Sequence, residues 1–224
     1  MGNRRVFFNP DYNLIIIHGC DELHIFLGKG ELNMCGRYYI EIDDAELSDI
    51  CDEVQKNAEM EQLSIESIKT GEIFPTNIVP IQVGDHDYRA MRWGFDRFDG
   101  KGQIINAKSE TALSKPLFAK SMRNYRCIVP ASKYFEWQKL DNKKIKHEFY
   151  LPEKILYIAG CYRLEAGSAV PSFVILTRAA SDSISVIHDR MPVILPKSRV
   201  HEWLYESPEC MDDPLTDLQY RPAV

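Results

Sequence analysis

Four polar side chains stand in apolar or constrained company. Cys35 lies in Met34-Cys35-Gly36-Arg37, at the head of an alternating stretch. Asn106 follows two isoleucines in QIINAKSET, Glu136 sits between Phe135 and Trp137 in KYFEWQ, and His188 lies in SVIHDRMPVIL. A thiol, an amide, a carboxyl and an imidazole are a set suited to nucleophilic and acid–base chemistry. Each also has an ordinary explanation. Cysteines are commonly buried, a strand asparagine often caps a turn, a glutamate on an alternating strand usually faces water, and a histidine beside Asp and Arg is often a structural hydrogen-bonding residue. Met34 adds a choice: it is an apolar residue before a strand, or an internal start that makes Cys35 the first residue of the working protein.

The elements that must carry these groups read as many short strands with a few helices. CGRYYIEI alternates Tyr38, Ile40 and Ile42 against Arg37, Tyr39 and Glu41, which predicts a strand. DDAELSDICDEVQKN predicts a helix, with Leu47, Ile50, Cys51 and Val54 on one face and Asp43 or Asp44 as its cap. Residues 56–71 read as a loop or frayed helix. Pro75 and Pro80 keep IFPTNIVPIQV extended and turned. YRAMRWGF, QIINA, YRCIVPASKYFEW, HEFYLP, ILYIAGCYRL and SFVILTRAA predict strands. KPLFAKSM predicts a short helix with Pro116 at its first position, SDSISVI a brief helix capped by Ser181, and KSRVHEWLYE a last helix. Residues 1–34 show no clear period. The pattern is that of one mixed, strand-dominated domain.

At 224 residues and 45% hydrophobic, the chain can bury one sizeable core. No run approaches the ~20 apolar residues that span a bilayer, and Leu14–Ile17 is too short for a signal-peptide core. The six cysteines show neither Cys-x-x-Cys nor zinc spacing, so reduced thiols and no metal are expected. Net charge is −6, yet residues 89–146 carry fourteen Lys/Arg against five Asp/Glu. Such asymmetry can place a basic face on an acidic body; a solvated surface explains it equally.

Taken together, MCGRYYI, PTNIVP, MRWGF, INAKSET, RCIVPASKYFEWQ and IHDRMPVIL occur in the order and approximate spacing of the SOS-response-associated peptidase (SRAP) family, which the chain resembles from Met34 to about Trp203. The resemblance implies an α+β fold: a single domain over residues 35–224 with a distorted β-barrel-like core and flanking short helices, and residues 1–34 an extension outside it. A bacterial cytoplasmic protein is expected, on the nucleoid when bound to DNA, without cofactor, metal or membrane and with a monomer as the default state. Its partner would be single-stranded DNA containing abasic sites, to which the cysteine exposed by methionine removal becomes covalently joined. Carried over residue by residue, Cys35 is the nucleophile, Asn106 orients its terminus, Glu136 handles the amine's protons and His188 assists sugar ring opening. Glu136, tucked between two aromatics, is expected to have a raised pKa. Arg37 and Lys108 would grip phosphates, and Asn77, Pro80 and Trp93 would shape the kink at the lesion and pack on bases. Core packing is the competing reading for Pro80 and Trp93.

The chemistry has a physical basis. An open abasic deoxyribose is an aldehyde. An α-amine of pKa ~7.7–8.0 is partly neutral near pH 7, unlike a lysine amine. A terminal cysteine offers amine and thiol two carbons apart, so an imine can form and then close to a thiazolidine. An internal cysteine has only an amide nitrogen.

Two departures from the family accompany the match. The chain ends at LTDLQYRPAV where many relatives continue, and Lys108 stands where Arg is more common, keeping the charge but losing the bidentate fork. GKGELNM back-translates to a purine-rich stretch at a workable distance from an ATG at Met34, so translation is expected to begin there; autoproteolysis between Met34 and Cys35 is the alternative. Two other functions stay open: a thiol peptidase acting on its own pro-segment, and a non-covalent single-strand DNA-binding module.

Overall fold

The computed structural model describes residues 5–9, 14–18, 23–27, 35–63, 68–141, 143–152, 154–212 and 214–223. The chain divides into two compact units, Met1–Asn33 and Met34–Val224. The first contains an antiparallel meander of β1 (Arg5–Asn9), β2 (Leu14–His18) and β3 (Leu23–Leu27), with Phe7 opposite Ile16 and Ile16 opposite Ile25. The missing period in this stretch did not announce strands: pairing here is not accompanied by clean alternation. The boundary at Met34 itself lies outside the described residues.

The second unit begins with β4 (Arg37–Ile40), whose Tyr38 and Ile40 are buried as the alternation requires. The strand ends there, leaving Ile42 57% exposed, so the expected third inward position is lost. Helix α1 (Ala45–Met60) follows, longer than expected. Asp44 is its cap, its carboxylate accepting from the Leu47 N–H at 3.1 Å, and Leu47, Ile50, Cys51, Val54 and Ala58 form the buried face. Next come β5 (Gly71–Ile73), β6 (Ile78–Gly84), β7 (Asp87–Trp93) and the two-residue strands β8 (Phe95–Asp96) and β9 (Gln103–Ile104).

The expected strand QIINA is broken at Ile105. Its carbonyl accepts both the Trp93 indole N–H at 3.0 Å and the Ile175 N–H at 3.1 Å. The chain then restarts as β10 (Asn106–Lys108), followed by α2 (Ser109–Ala112) and α3 (Pro116–Asn124), the latter with Pro116 at its start as predicted. The predicted single strand over residues 125–137 is likewise two: β11 (Arg126–Ala131) and β12 (Lys133–Leu140). Ser132 divides them, its hydroxyl accepting the Glu41 N–H at 2.7 Å and its own N–H donating to the Tyr39 carbonyl at 2.9 Å.

The remaining strands are β13 (Lys143–Tyr150), β14 (Leu156–Arg163), β15 (Ser172–Ala179), β16 (Arg190–Pro192), β17 (Ile194–Leu195) and β18 (Gln219–Pro222), with α4 (Asp182–Ser185) between β15 and β16. Ser181 precedes α4, but its side chain makes no capping bond; it lies 3.2 Å from the Ser183 hydroxyl instead. The last predicted helix is a 3₁₀ turn (Lys197–Arg199) and a π-helical turn (Glu202–Glu206).

The pairings β15–β7, β7–β6, β6–β11, β11–β14 and β14–β15 return to their starting strand, closing a five-membered ring. The fold is therefore α+β with a barrel-like core, as the resemblance implied. A second, five-stranded sheet runs β18-β13-β12-β4-β5. The chain passes from ring to second sheet at Ser132, and β12, which carries Glu136, then pairs with β4.

Candidate functional site

Cys35 enters β4 and is 1% exposed. Asn106, on the strand that restarts after Ile105, donates its side-chain amide to the Cys35 carbonyl at 3.2 Å. Glu136, 3% exposed, receives the Cys35 backbone N–H on its carboxyl group. Three of the four residues singled out from the sequence thus meet at Cys35: Asn106 holds its carbonyl and Glu136 its nitrogen, the two backbone groups on either side of the Cys35 Cα.

Glu136 reaches this place by strand alternation. Tyr134 pairs with Tyr38 across β12 and β4, and with Phe149 across β12 and β13. Residue 136 follows two positions later on the same face. Phe135 and Trp137 therefore point to the opposite face, and the expectation that they enclose the carboxyl is corrected. The desolvating wall is on the inner face, where the Tyr134 and Phe149 rings stack at 4.8 Å. Burial pushes the Glu136 carboxyl up to about 8, the charge of Asp189 adds to the rise, and the Cys35 and Trp137 N–H groups oppose it. Burial also drives the Cys35 thiol well above its ordinary value, with Glu136 contributing. The thiol is held protonated near neutral pH.

His188 lies between α4 and β16 with its side chain 14% exposed. Its Nδ1 faces one donor, the Arg190 N–H at 3.1 Å, and two acceptors, the Arg190 carbonyl and the Asp189 carboxylate, both at 3.2 Å. Either protonation state of that nitrogen finds a partner. Arg190 is itself fixed by both oxygens of Glu110, at 2.5 and 2.9 Å, and this contact draws the Glu110 carboxyl down to about 2. Sequence reading had not singled out Asp189, Arg190 or Glu110.

The opposite face of the five-stranded sheet is cationic and aromatic. The Arg37 guanidinium lies 3.9 Å from the Phe74 ring centre and 6.0 Å from that of Trp137. Lys146 Nζ sits 3.9 Å over Phe135 and 2.8 Å from Glu72. Asn77 closes the adjoining turn, its side-chain oxygen accepting the Phe74 N–H at 2.9 Å. Lys108 is exposed at the end of β10 and has no ion pair among the described residues. Pro80 and Trp93 present no surface in this conformation. Pro80 is buried within β6, and Trp93 is 0% exposed with its ring against Tyr38 and Phe173. Phe74, Trp137 and Lys146 were not picked out; the period-two alternation that placed Arg37 and Tyr39 together would have found Phe135 and Trp137.

Among the described residues, no helix is long and apolar enough to cross a membrane. The profile of the SOS response associated peptidase (SRAP) family matches residues 34–223. The chain is 33% identical over 194 residues to abasic site processing protein YobE of Bacillus subtilis, covering 76% of this chain and 82% of that protein. It is 32% identical over 193 residues to abasic site processing protein YoqW of the same organism, covering 76% and 80%. A crystal structure of a protein from Bacteroides thetaiotaomicron superposes with a TM-score of 0.67 at 22% identity, over 84% of this chain and 91% of that one, and shares the fold.

Proposed function

Because the chain belongs to the SOS response associated peptidase family, we propose that it processes abasic sites in single-stranded DNA by forming a covalent thiazolidine through Cys35, once Cys35 is the N-terminal residue. The observation that carries this reading is the grip on one residue from both sides: Asn106 on the Cys35 carbonyl and Glu136 on the Cys35 nitrogen.

With the terminus free, that nitrogen is an amine and Glu136 is its nearest proton acceptor. An ammonium beside the carboxyl draws the raised pKa back down, and the two titrate as a coupled pair sharing a proton. Transfer to Glu136 leaves the amine neutral. The amine nitrogen attacks the sugar aldehyde carbon to give a carbinolamine. The protonated carboxyl then delivers its proton to the departing hydroxyl, water leaves, and a C=N bond remains. The thiol sulfur adds to that carbon while its proton passes to the nitrogen, and the five-membered ring closes. Net change is the loss of one water. His188, with a donor and acceptors around Nδ1, is suited to opening the sugar hemiacetal.

A thiol peptidase is less well supported. Such an enzyme lowers its cysteine pKa with a neighbouring cation, whereas burial and Glu136 raise that of Cys35.

The test is to incubate protein beginning at Cys35 with a single-stranded oligonucleotide carrying one abasic site, then analyse it by denaturing gel and intact mass. The expected product is a heat-resistant adduct of protein plus DNA less one water, absent in Cys35→Ala. Cleavage of a Met34–Cys35 peptide without adduct would establish the peptidase; DNA retention only on native gels would establish the non-covalent module. Full-length chain retaining residues 1–34 is expected to give no adduct.

A further inference from the structure

Glu136 Oε1 has no hydrogen-bond partner among the described residues, and the same is true of both ring nitrogens of His147 and of the Tyr134 hydroxyl. All three side chains are buried, at 3%, 7% and 0% exposure for Glu136, His147 and Tyr134. They also share a place. Glu136 and His147 are directly opposed across β12 and β13, which puts them on one face of the sheet with Cβ atoms about 4.5–5.5 Å apart. Tyr134, two residues before Glu136, is on that face as well.

Buried polar groups in native folds are paired with protein or with ordered water. One unpaired group can be a local oddity; three around one cross-strand position point to a common partner. A buried water characteristically makes about two to four hydrogen bonds, and a carboxyl oxygen, an imidazole and a phenol supply three. The Cys35 and Trp137 N–H groups serve the carboxyl, and Oε1 is the oxygen they leave over.

We propose that His147 is a positioning residue for Glu136: through a water shared with Tyr134, its ring N–H holds the carboxyl oxygen that faces away from Cys35. The other groups around the pair are Cys35 just before β4 and Tyr38 within it, Asn106 from β10, Asp189 from the turn before β16, and Tyr220 from β18, whose ring meets that of His147 at 5.9 Å. Burial holds the His147 pKa below its ordinary value. The ring is therefore neutral near pH 7, with one nitrogen donating and one accepting. A donor to Oε1 favours the carboxylate over the acid, so His147 opposes the burial that raises Glu136 and keeps the carboxyl able to accept a proton as well as give one. The inference rests on the reading of Glu136 as the proton-handling group of Cys35.

The experiment follows the Glu136 carboxyl directly. Full chain labelled with ¹³C at the glutamate carboxyls is titrated by NMR, with Glu136→Gln identifying the resonance. His147→Phe removes the donor and is expected to raise the Glu136 midpoint by about one pH unit; His147→Gln, which keeps an N–H donor, is expected to return it most of the way. An unchanged midpoint in His147→Phe overturns the proposal, and so does an equal rise in both variants, since packing alone would then account for it. Should His147→Phe fail to fold, the reciprocal measurement remains: Glu136→Gln is expected to shift the His147 ring ¹⁵N resonances at constant pH, and unmoved resonances overturn the proposal. No DNA enters these measurements, so an absent crosslink would remove the proposed function while leaving this coupling separately decided.

Discussion

At Glu136 the local sequence misdirects. Two aromatic neighbours look like a pocket, yet alternation sends them to the far face and hands the carboxyl to Tyr134, Phe149 and the Cys35 nitrogen. The raised pKa is a statement about stability as well as chemistry. Glu136 ionises at about 8 in the folded chain and at ~4.3 when unfolded. Below the lower value both states hold the proton. Between the two, the folded state binds one proton more, so stability falls as pH rises by at most about 1.4 kcal/mol per unit. Above the upper value the full cost of a buried charge is carried. Glu136→Gln cannot ionise, and urea midpoints taken from pH 5 to 8.5 are expected to fall less steeply for it than for the parent chain. Parallel slopes would show that Glu136 is not the buried acid. Cys35, Asn106 and Glu136 could be grouped from the sequence because their flanking motifs are specific in type and order, and the structure brings these three together. His147 could not: HEFYLP reads as a strand, but only its register against β12 shows that His147 opposes Glu136.

Elements are set by where the chain must change partners. Most strands could be read from alternation, but their breaks at Ile105 and Ser132 could not, because each depends on hydrogen bonds from residues distant in sequence. The last helix failed for the same reason. Arg126 donates to the Trp203 carbonyl and Trp203 donates its indole N–H to the Cys127 carbonyl at 2.8 Å, and those tertiary bonds draw the segment into 3₁₀ and π-helical turns. The ring of strands has a comparable point of constraint at Gly160. It pairs with Cys127 on one side and Ile175 on the other. A Cβ there would meet the Val174 carbonyl at 2.7 Å and Cys127 Sγ at 3.2 Å. The nearer obstacle is backbone, which cannot rotate away. Gly160→Ala is expected to cost about 1–3 kcal/mol, read as a lowered urea midpoint at pH 7. A midpoint within error of the parent would mean that β14 and β15 can part without penalty.

Over the whole molecule, the basic run does not form one unmatched cationic face. Of the fourteen cations between residues 89 and 146, Arg89, Arg92, Arg97, Lys133 and Lys146 are matched by Asp87, Asp96, Asp99, Glu148 and Glu72. Arg126 is buried on backbone carbonyls. The acids that make the chain net negative are thus partly spent on these cations, which favours the solvated surface over the single basic face that the count left open. Lys101, Lys143 and Lys144 are exposed without an acid partner among the described residues, and so, on or beside the two short helices that follow Asn106, are Lys108, Lys120 and Arg123. A phosphate backbone leading into the Asn106–Glu136 site would meet these unmatched charges. Each phosphate neutralised on a single strand contributes about 0.7 to the slope of log affinity against log salt. Lys108→Ala is expected to reduce that slope by about this amount, measured by fluorescence anisotropy on a labelled oligonucleotide between 50 and 200 mM salt (the approximate range over which such slopes are resolved). Arg89→Ala is expected to leave it nearly unchanged, because its charge is already matched by Asp87. A slope that moves with Arg89 and not with Lys108 would place the DNA on the other side of the ring from Asn106.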